Sequence, residues 1–216
     1  DLRGWEWHYL NATFQKPLRS VDVPFVSRTK YAQRLSGSVT WSPYKRWIAT
    51  SGNSNAPYYP LEVWNQPLQI WDSDTGKLVH TLAPLGRATA WNGEGDRIAA
   101  VVDNLIKIWE LPSGKLVRTF KGHGGTLLHV AWRPGNNQIA AGGYDIGEKG
   151  TRSGELLVWD VTKDELALDL KWPDRGVQAL AWNPDGLSLA VAWIFPYGSL
   201  NENSISLLNP TSGNET

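Results

Sequence analysis

Cysteine and methionine are both missing from the 216 residues. Without thiols the chain can form no disulfide and no thiolate metal site, and cysteine usage leaves the redox compartment open. No sign of charge dominates either: 21 basic and 21 acidic residues give a formal net charge of zero. That balance argues against a broad electrostatic footprint for nucleic acid or an anionic membrane. No apolar run approaches the roughly 18 residues a membrane span requires, and no signal-peptide pattern opens the chain. The first residue is Asp, which with the lack of methionine leads us to expect a processed chain or an excerpt of a longer one. Phenylalanine is scarce at four residues, whereas tryptophan reaches 13. So costly a residue carries information in its positions.

Those positions repeat. Four segments align: "VTWSPYKRWIATSG", "ATAWNGEGDRIAAVV", "HVAWRPGNNQIAAGG" and "ALAWNPDGLSLAVAW". Each reads as a strand ending in Trp, a Pro/Gly/Asn/Asp turn and a second apolar strand. Trp41, Trp91, Trp132 and Trp182 head them, spaced 50, 41 and 50 residues apart. A second series follows each: "LQIWDSDTGKLVHTL", "IKIWELPSGKLVRTF", "LLVWDVTKDELALDL" and "ISLLNPTSGNET". Trp71, Trp109 and Trp159 hold matching places there, with Leu208 in the fourth. Every unit is thus strand, turn, strand, variable segment, strand, turn, strand, with the last strand missing from unit four.

This pattern resembles the WD-repeat β-propeller family, whose period is about 40–45 residues with four strands per blade. "IWD", "IWE" and "VWD" stand where the family's Trp-Asp sits, and "KGHGG" supplies one Gly-His at Gly122–His123. The resemblance covers residues 39 to 216. It implies an all-β propeller with four recognisable four-stranded blades at 39–86, 87–125, 126–176 and 177–216. It also implies structural roles for His123 and Asp103, the remnants of the family's His, Ser/Thr, Asp and Trp network. The hydroxyl is lost in "IAAGG", so tryptophan packing is expected to supply most cohesion between sheets. Trp41, Trp71, Trp91, Trp109, Trp132, Trp159 and Trp182 are all expected in the core.

Residues 1–38 form a leader outside the repeats. Leu2, Trp5, Tyr9, Leu10 and Phe14 fall near one face at helical spacing, with Asp1 as N-cap, which predicts a short helix. "LRGWEWHYL" resembles the junction ahead of WD-repeat regions in large bacterial multidomain proteins, including Ser/Thr protein kinases. "PLRSVDVPF" (17–25) alternates like a strand and is expected to complete blade four, within one chain or across a homodimer of eight blades. The favoured alternative is that missing blades complete a larger ring.

No chemistry-bearing motif accompanies the repeats. There is no kinase signature, no nucleophile elbow beside "GHGG", no zinc spacing among His8, His80, His123 and His129, and no calcium loop. His129 lies on an apolar strand and reads as a core or ring-lining residue. We therefore expect no enzyme activity in this chain and no metal or other cofactor. A cytoplasmic location is the expectation, and an extracytoplasmic one holds if a membrane segment lies upstream.

The units differ most between their second and third strands. From Ile98 to Trp109 is 11 residues, but Ile48 to Trp71 is 23, Ile139 to Trp159 is 20 and Leu189 to Leu208 is 19. In a propeller these connections share one face, where loops on a rigid scaffold carry function. Tyr58, Tyr59 and Trp64 stand in the first, Tyr144 and Arg152 in the third, and Trp193, Phe195 and Tyr197 in the last. Tyr, Trp and Arg dominate binding hot spots. The expected function is thus a non-catalytic interaction module that binds a protein or peptide on this face. The alternative is a propeller enzyme or small-ligand sensor that uses the central channel.

Overall fold

The computed structural model describes residues 37–52, 66–84, 86–122, 124–146, 152–195 and 204–215. Apolar alternation and Gly/Asn/Asp turns give fifteen strands and, among the described residues, no helix. The first sheet is β1 (Gly37–Trp41), β2 (Trp47–Gly52), β3 (Gln66–Asp72) and β4 (Leu78–Ala83). The second is β5 (Thr89–Trp91), β6 (Arg97–Val102), β7 (Leu105–Glu110) and β8 (Lys115–Lys121). The third is β9 (Thr126–Trp132), β10 (Gln138–Ile146), β11 (Arg152–Asp160) and β12 (Glu165–Trp172). The fourth has three strands: β13 (Gly176–Trp182), β14 (Leu189–Ile194) and β15 (Ile205–Leu208). Each sheet is an antiparallel meander in sequence order.

Strand register sorts the residues of each blade into two rows, because successive side chains point to opposite faces. One row faces the preceding blade: Trp91–Ile98–Trp109, Trp132–Ile139–Trp159 and Trp182–Leu189–Leu208. The other row faces the following blade and begins small: Thr40–Ala49–Ile70, Ala90–Ala99–Ile108 and Ala131–Ala140–Val158. Large indoles thus seat on small residues, and three separate cores form between neighbouring blades. Two of the indoles also hydrogen-bond across the boundary. Trp91 Nε1–H donates to the Thr40 carbonyl at 3.3 Å, and Trp182 Nε1–H donates to that of Ala131 at 3.1 Å.

A second tie lies one residue further on. Ser42 Oγ donates to the Gly95 carbonyl at 2.7 Å, and Arg133 Nε donates to that of Gly186 at the same distance. Gly95 has φ +69°, and a Cβ there would lie 2.0 Å from the Pro43 carbonyl oxygen, so only glycine permits the approach.

The Trp-Asp acids serve as turn caps. Asp72 Oδ1 accepts from the N–H groups of Asp74 and Thr75 and from the Thr75 hydroxyl, while its Oδ2 pairs with Arg46 Nε at 2.8 Å. The Thr75 N–H is the largest cause holding the Asp72 carboxyl below its ordinary value. Asp160 and Asn209 cap the matching turns of the third and fourth blades.

One expected core position and one expected structural role are corrected. Trp41 is 64% exposed, because no described blade packs against its face. Asp103 is exposed and pairs with Lys107 Nζ at 3.5 Å, while Asn104 makes the tie between blades. Trp71, Trp91, Trp109 and Trp132 are buried, and Trp159 stacks on Phe120 with ring centroids 4.8 Å apart. His123, the leader helix and the 17–25 strand lie outside the described residues.

Candidate interaction face

Three chain segments meet at one end of blades two and three. Gly86–Arg87 joins blade one to blade two, Val102–Leu105 turns β6 into β7, and Gly122 and Gly124–Gly125 lie in the connector from β8 to β9. Asp103 and Asn104 both have positive φ, at 51° and 63°, as a two-residue primed hairpin turn requires. That turn aims the Asn104 side chain at the next connector. Its Oδ1 accepts from Leu127 N–H at 2.6 Å and its Nδ2 donates to the Gly125 carbonyl. The Gly86–Arg87 connector is fixed as firmly. Ser51 Oγ donates to the Arg87 carbonyl at 2.9 Å, and Arg87 N–H donates to that of Val101 at 2.9 Å.

Two concavities flank Gly124–Gly125. The larger, about 380 Å³, is lined by Arg87, Asp103, Asn104, Thr126 and neighbouring backbone. The smaller, about 210 Å³, is lined by Asp145, Ser153, Gly154, Glu155 and Lys171. Arg87 is the unusual member. Its Nη1 is buried and has no hydrogen-bond partner. Burial lowers its pKa from the ordinary value, with Tyr144 acting in the opposite sense. A buried guanidinium nitrogen left without an acceptor is costly, and an incoming carboxylate or carbonyl would remove that cost. On β9, half-buried His129 is pushed down from its ordinary value by desolvation. Among the described residues no three His, Asp or Glu side chains come together as a metal-ligand set.

Of the aromatic and arginine candidates read from the sequence, Tyr144 is at this face. It is half-buried on β10, its backbone against Gly125 and its Cβ side against Gly176. Residues 144–146 and 152–155 are not loop but continue β10 and β11 in unbroken register, while the pairing of β10 with β9 shifts between Gly142 and Gly143. A Cβ on Gly143 would meet the Thr126 carbonyl oxygen at 1.9 Å, so glycine is required there. Arg152 begins β11. Trp193 is corrected: it lies on β14 with no exposed surface, not in a loop. Its indole donates to Ser206 Oγ at 2.8 Å, meets Trp172 edge-on and sits 4.1 Å under the Arg175 guanidinium. Phe195 packs against the same core. Tyr58, Tyr59, Trp64 and Tyr197 lie outside the described residues. Arg87 was missed because a single Arg in a connector has no motif; its one signal is its place in "GRATAW", directly before a blade.

Successive antiparallel meanders stacked face to face through tryptophan rows define a β-propeller assembly. The comparisons support a WD-repeat β-propeller. Residues 114–160 match the WD domain, G-beta repeat family, from β8 through the Trp159–Asp160 pair. Meiotic fizzy-related protein 1 of Schizosaccharomyces pombe is 32% identical over 134 residues, 60% of this chain and 27% of that protein. Cell division cycle 20.1, cofactor of APC complex, of Arabidopsis thaliana is 25% identical over 162 residues, 68% of this chain and 30% of that protein. The chain thus spans about a third or less of these relatives. Among solved structures, Kuenenia stuttgartiensis hydrazine synthase superposes with a TM-score of 0.63 at 16% identity, over 89% of this chain and 51% of that one. That likeness concerns the fold alone. The two named sequence relatives are eukaryotic, so the bacterial-kinase likeness rests only on "LRGWEWHYL", outside the described residues.

Proposed function

We propose that this chain is a non-catalytic interaction module that binds a protein or peptide segment carrying an acidic side chain on the connector face. The observation that carries the reading is Arg87, which lines the larger concavity and whose buried Nη1 lacks an acceptor. The connector backbone at Arg87 is held by hydrogen bonds to Ser51 and Val101, so little ordering of this segment is needed on contact. Tyr144 lies against the Gly125 connector, and we propose that Arg152, Tyr58, Tyr59, Trp64 and Tyr197, expected near this end from the repeat pattern of the sequence, contribute to the same face. The Arabidopsis relative, named as a cofactor of a complex, is in keeping with a role in assembly.

The test is fluorescence anisotropy with a labelled peptide series that differs only in Glu or Gln at the central position. The Glu peptides are expected to bind, and Arg87→Gln to weaken them at least about tenfold, or about 1.4 kcal/mol. Equal binding of Glu and Gln peptides, or no effect of Arg87→Gln, would overturn the reading. Tyr58→Ala/Tyr59→Ala/Tyr197→Ala should weaken Glu and Gln peptides alike if those aromatics share the face.

A further inference from the structure

The larger concavity carries both signs of charge. Of the described residues that line it, Arg87 is the one cation and Asp103 the one anion. Asp103 stands first in the turn from β6 to β7 at φ 51°, and Asn104 beside it ties that turn to Gly125 and Leu127. Its carboxylate is thus presented from a fixed backbone. The Asp103 side chain is 64% exposed, and its Oδ2 lies 3.5 Å from Lys107 Nζ. A carboxylate offers about four acceptor positions, so that one long ion pair leaves Asp103 able to accept a further donor. Beyond Gly124–Gly125, the smaller recess sets Asp145 and Glu155 against Lys171. Across both concavities two cations therefore face three carboxylates. A second acid on a ligand would meet like charge there, and a base would meet opposite charge.

We propose, resting on the Arg87 reading above, that the segment which seats its acidic side chain beside Arg87 also carries a Lys or Arg two positions away, and that this base pairs with Asp103. The spacing follows from the size of the site. A cavity of about 380 Å³ is roughly 7 Å across, and residues two apart in an extended chain project to one side ~6.8 Å apart, whereas adjacent ones project to opposite sides. The two charges contribute differently. Arg87 Nη1 is buried without an acceptor, so an acid there relieves a desolvation cost and fixes the position of the segment. Asp103 is exposed and the incoming base competes with Lys107 for it, so the base adds only what a solvent-screened pair supplies, about two- to fivefold at low salt. A run of acidic residues gains at Arg87 and loses at Asp103. The partner chemistry is therefore a mixed-charge segment rather than an acidic one.

The test pans the immobilised 216-residue chain against two displayed libraries of nine-residue peptides. One library has Glu fixed at the centre and the other Gln, with every other position random. The Glu library should be recovered over the Gln library, with Lys or Arg enriched two positions from the Glu relative to one position away. By fluorescence anisotropy, the leading Glu peptide should weaken about two- to fivefold when that base is changed to Gln, and the difference should vanish at about 0.5 M salt. Asp103→Asn should erase the same difference and keep the preference for Glu over Gln. Asn tolerates the positive φ of this turn, so the variant's circular dichroism should match the wild type. Recovered Glu peptides without a base two positions away, with a second acid there, or with a base whose gain survives Asp103→Asn, would overturn the proposal and leave the Arg87 reading standing. Equal recovery of the Glu and Gln libraries would overturn both.

Discussion

Trp91 and Trp41 hold the same position in successive blades, and their surroundings are opposite. Trp91 is buried against blade one and hydrogen-bonds the Thr40 carbonyl, whereas Trp41 is mostly exposed. The side chain, the strand and the register are alike, so the difference comes entirely from whether another blade lies alongside. In a repeat protein the stability of a unit therefore resides largely at its boundaries, as in a one-dimensional array with nearest-neighbour terms. The comparison can be broken or sharpened by substitution.

The largest effect is expected from Trp91→Ala, which empties a boundary between two sheets and should cost about 3–5 kcal/mol in chemical denaturation. Gly95→Ala comes next. It forces a side chain into positive φ and against the Pro43 carbonyl, and should destabilise by more than the ~0.4–1 kcal/mol that the same change gains at a compatible site. Its companion readout is lost coupling between blades one and two, seen as earlier hydrogen exchange in β1.

Asp72→Asn should lower the thermal midpoint by a smaller amount, and the effect should depend on pH. Because the folded pKa of Asp72 lies below 3.8, its contribution is present above that value and is lost as pH falls through the lower folded value. The wild-type chain should lose stability over that acid range, and the Asn variant should show a shallower fall. The smallest expected gain comes from Ala141→Thr. Trp71 Nε1–H donates to Thr50 Oγ1 at 2.9 Å, but Ala141 stands at the matching place in blade three and Trp159 Nε1 is buried without a partner. Supplying the hydroxyl should stabilise by about 1 kcal/mol.

These pairs also show what the sequence could and could not reveal. The repeated strand–turn–strand pairs were legible because each carries a Trp, a short Pro/Gly/Asn/Asp turn and period-two alternation, although β1 begins at Gly37 and β13 at Gly176, slightly ahead of the units read from the sequence. The loss of a hydroxyl in "IAAGG" was legible too, and its consequence is the unpartnered Trp159 indole. The exposure of Trp41 was not, since a repeat pattern records which face is apolar and not whether a neighbour covers it. Trp193 was misplaced because Pro196 and Gly198 drew the strand boundary too early, while β14 runs on to Ile194. The glycines around Tyr144 suggested a loop, yet Gly142 and Gly143 lie inside β10, which pairs with β11 in unbroken register. Arg87 was invisible for a different reason: its significance comes from a buried, unpaired nitrogen, which only three-dimensional packing creates.

The most direct test of the central claim is a paired urea denaturation of Trp41→Ala and Trp91→Ala at a concentration where the chain sediments as a monomer. Identical chemistry is then removed from identical strand positions, and only the neighbouring blade differs. The account predicts a loss of about 3–5 kcal/mol for Trp91→Ala and a change within about 0.5 kcal/mol for Trp41→Ala. Equal losses at the two positions would contradict it.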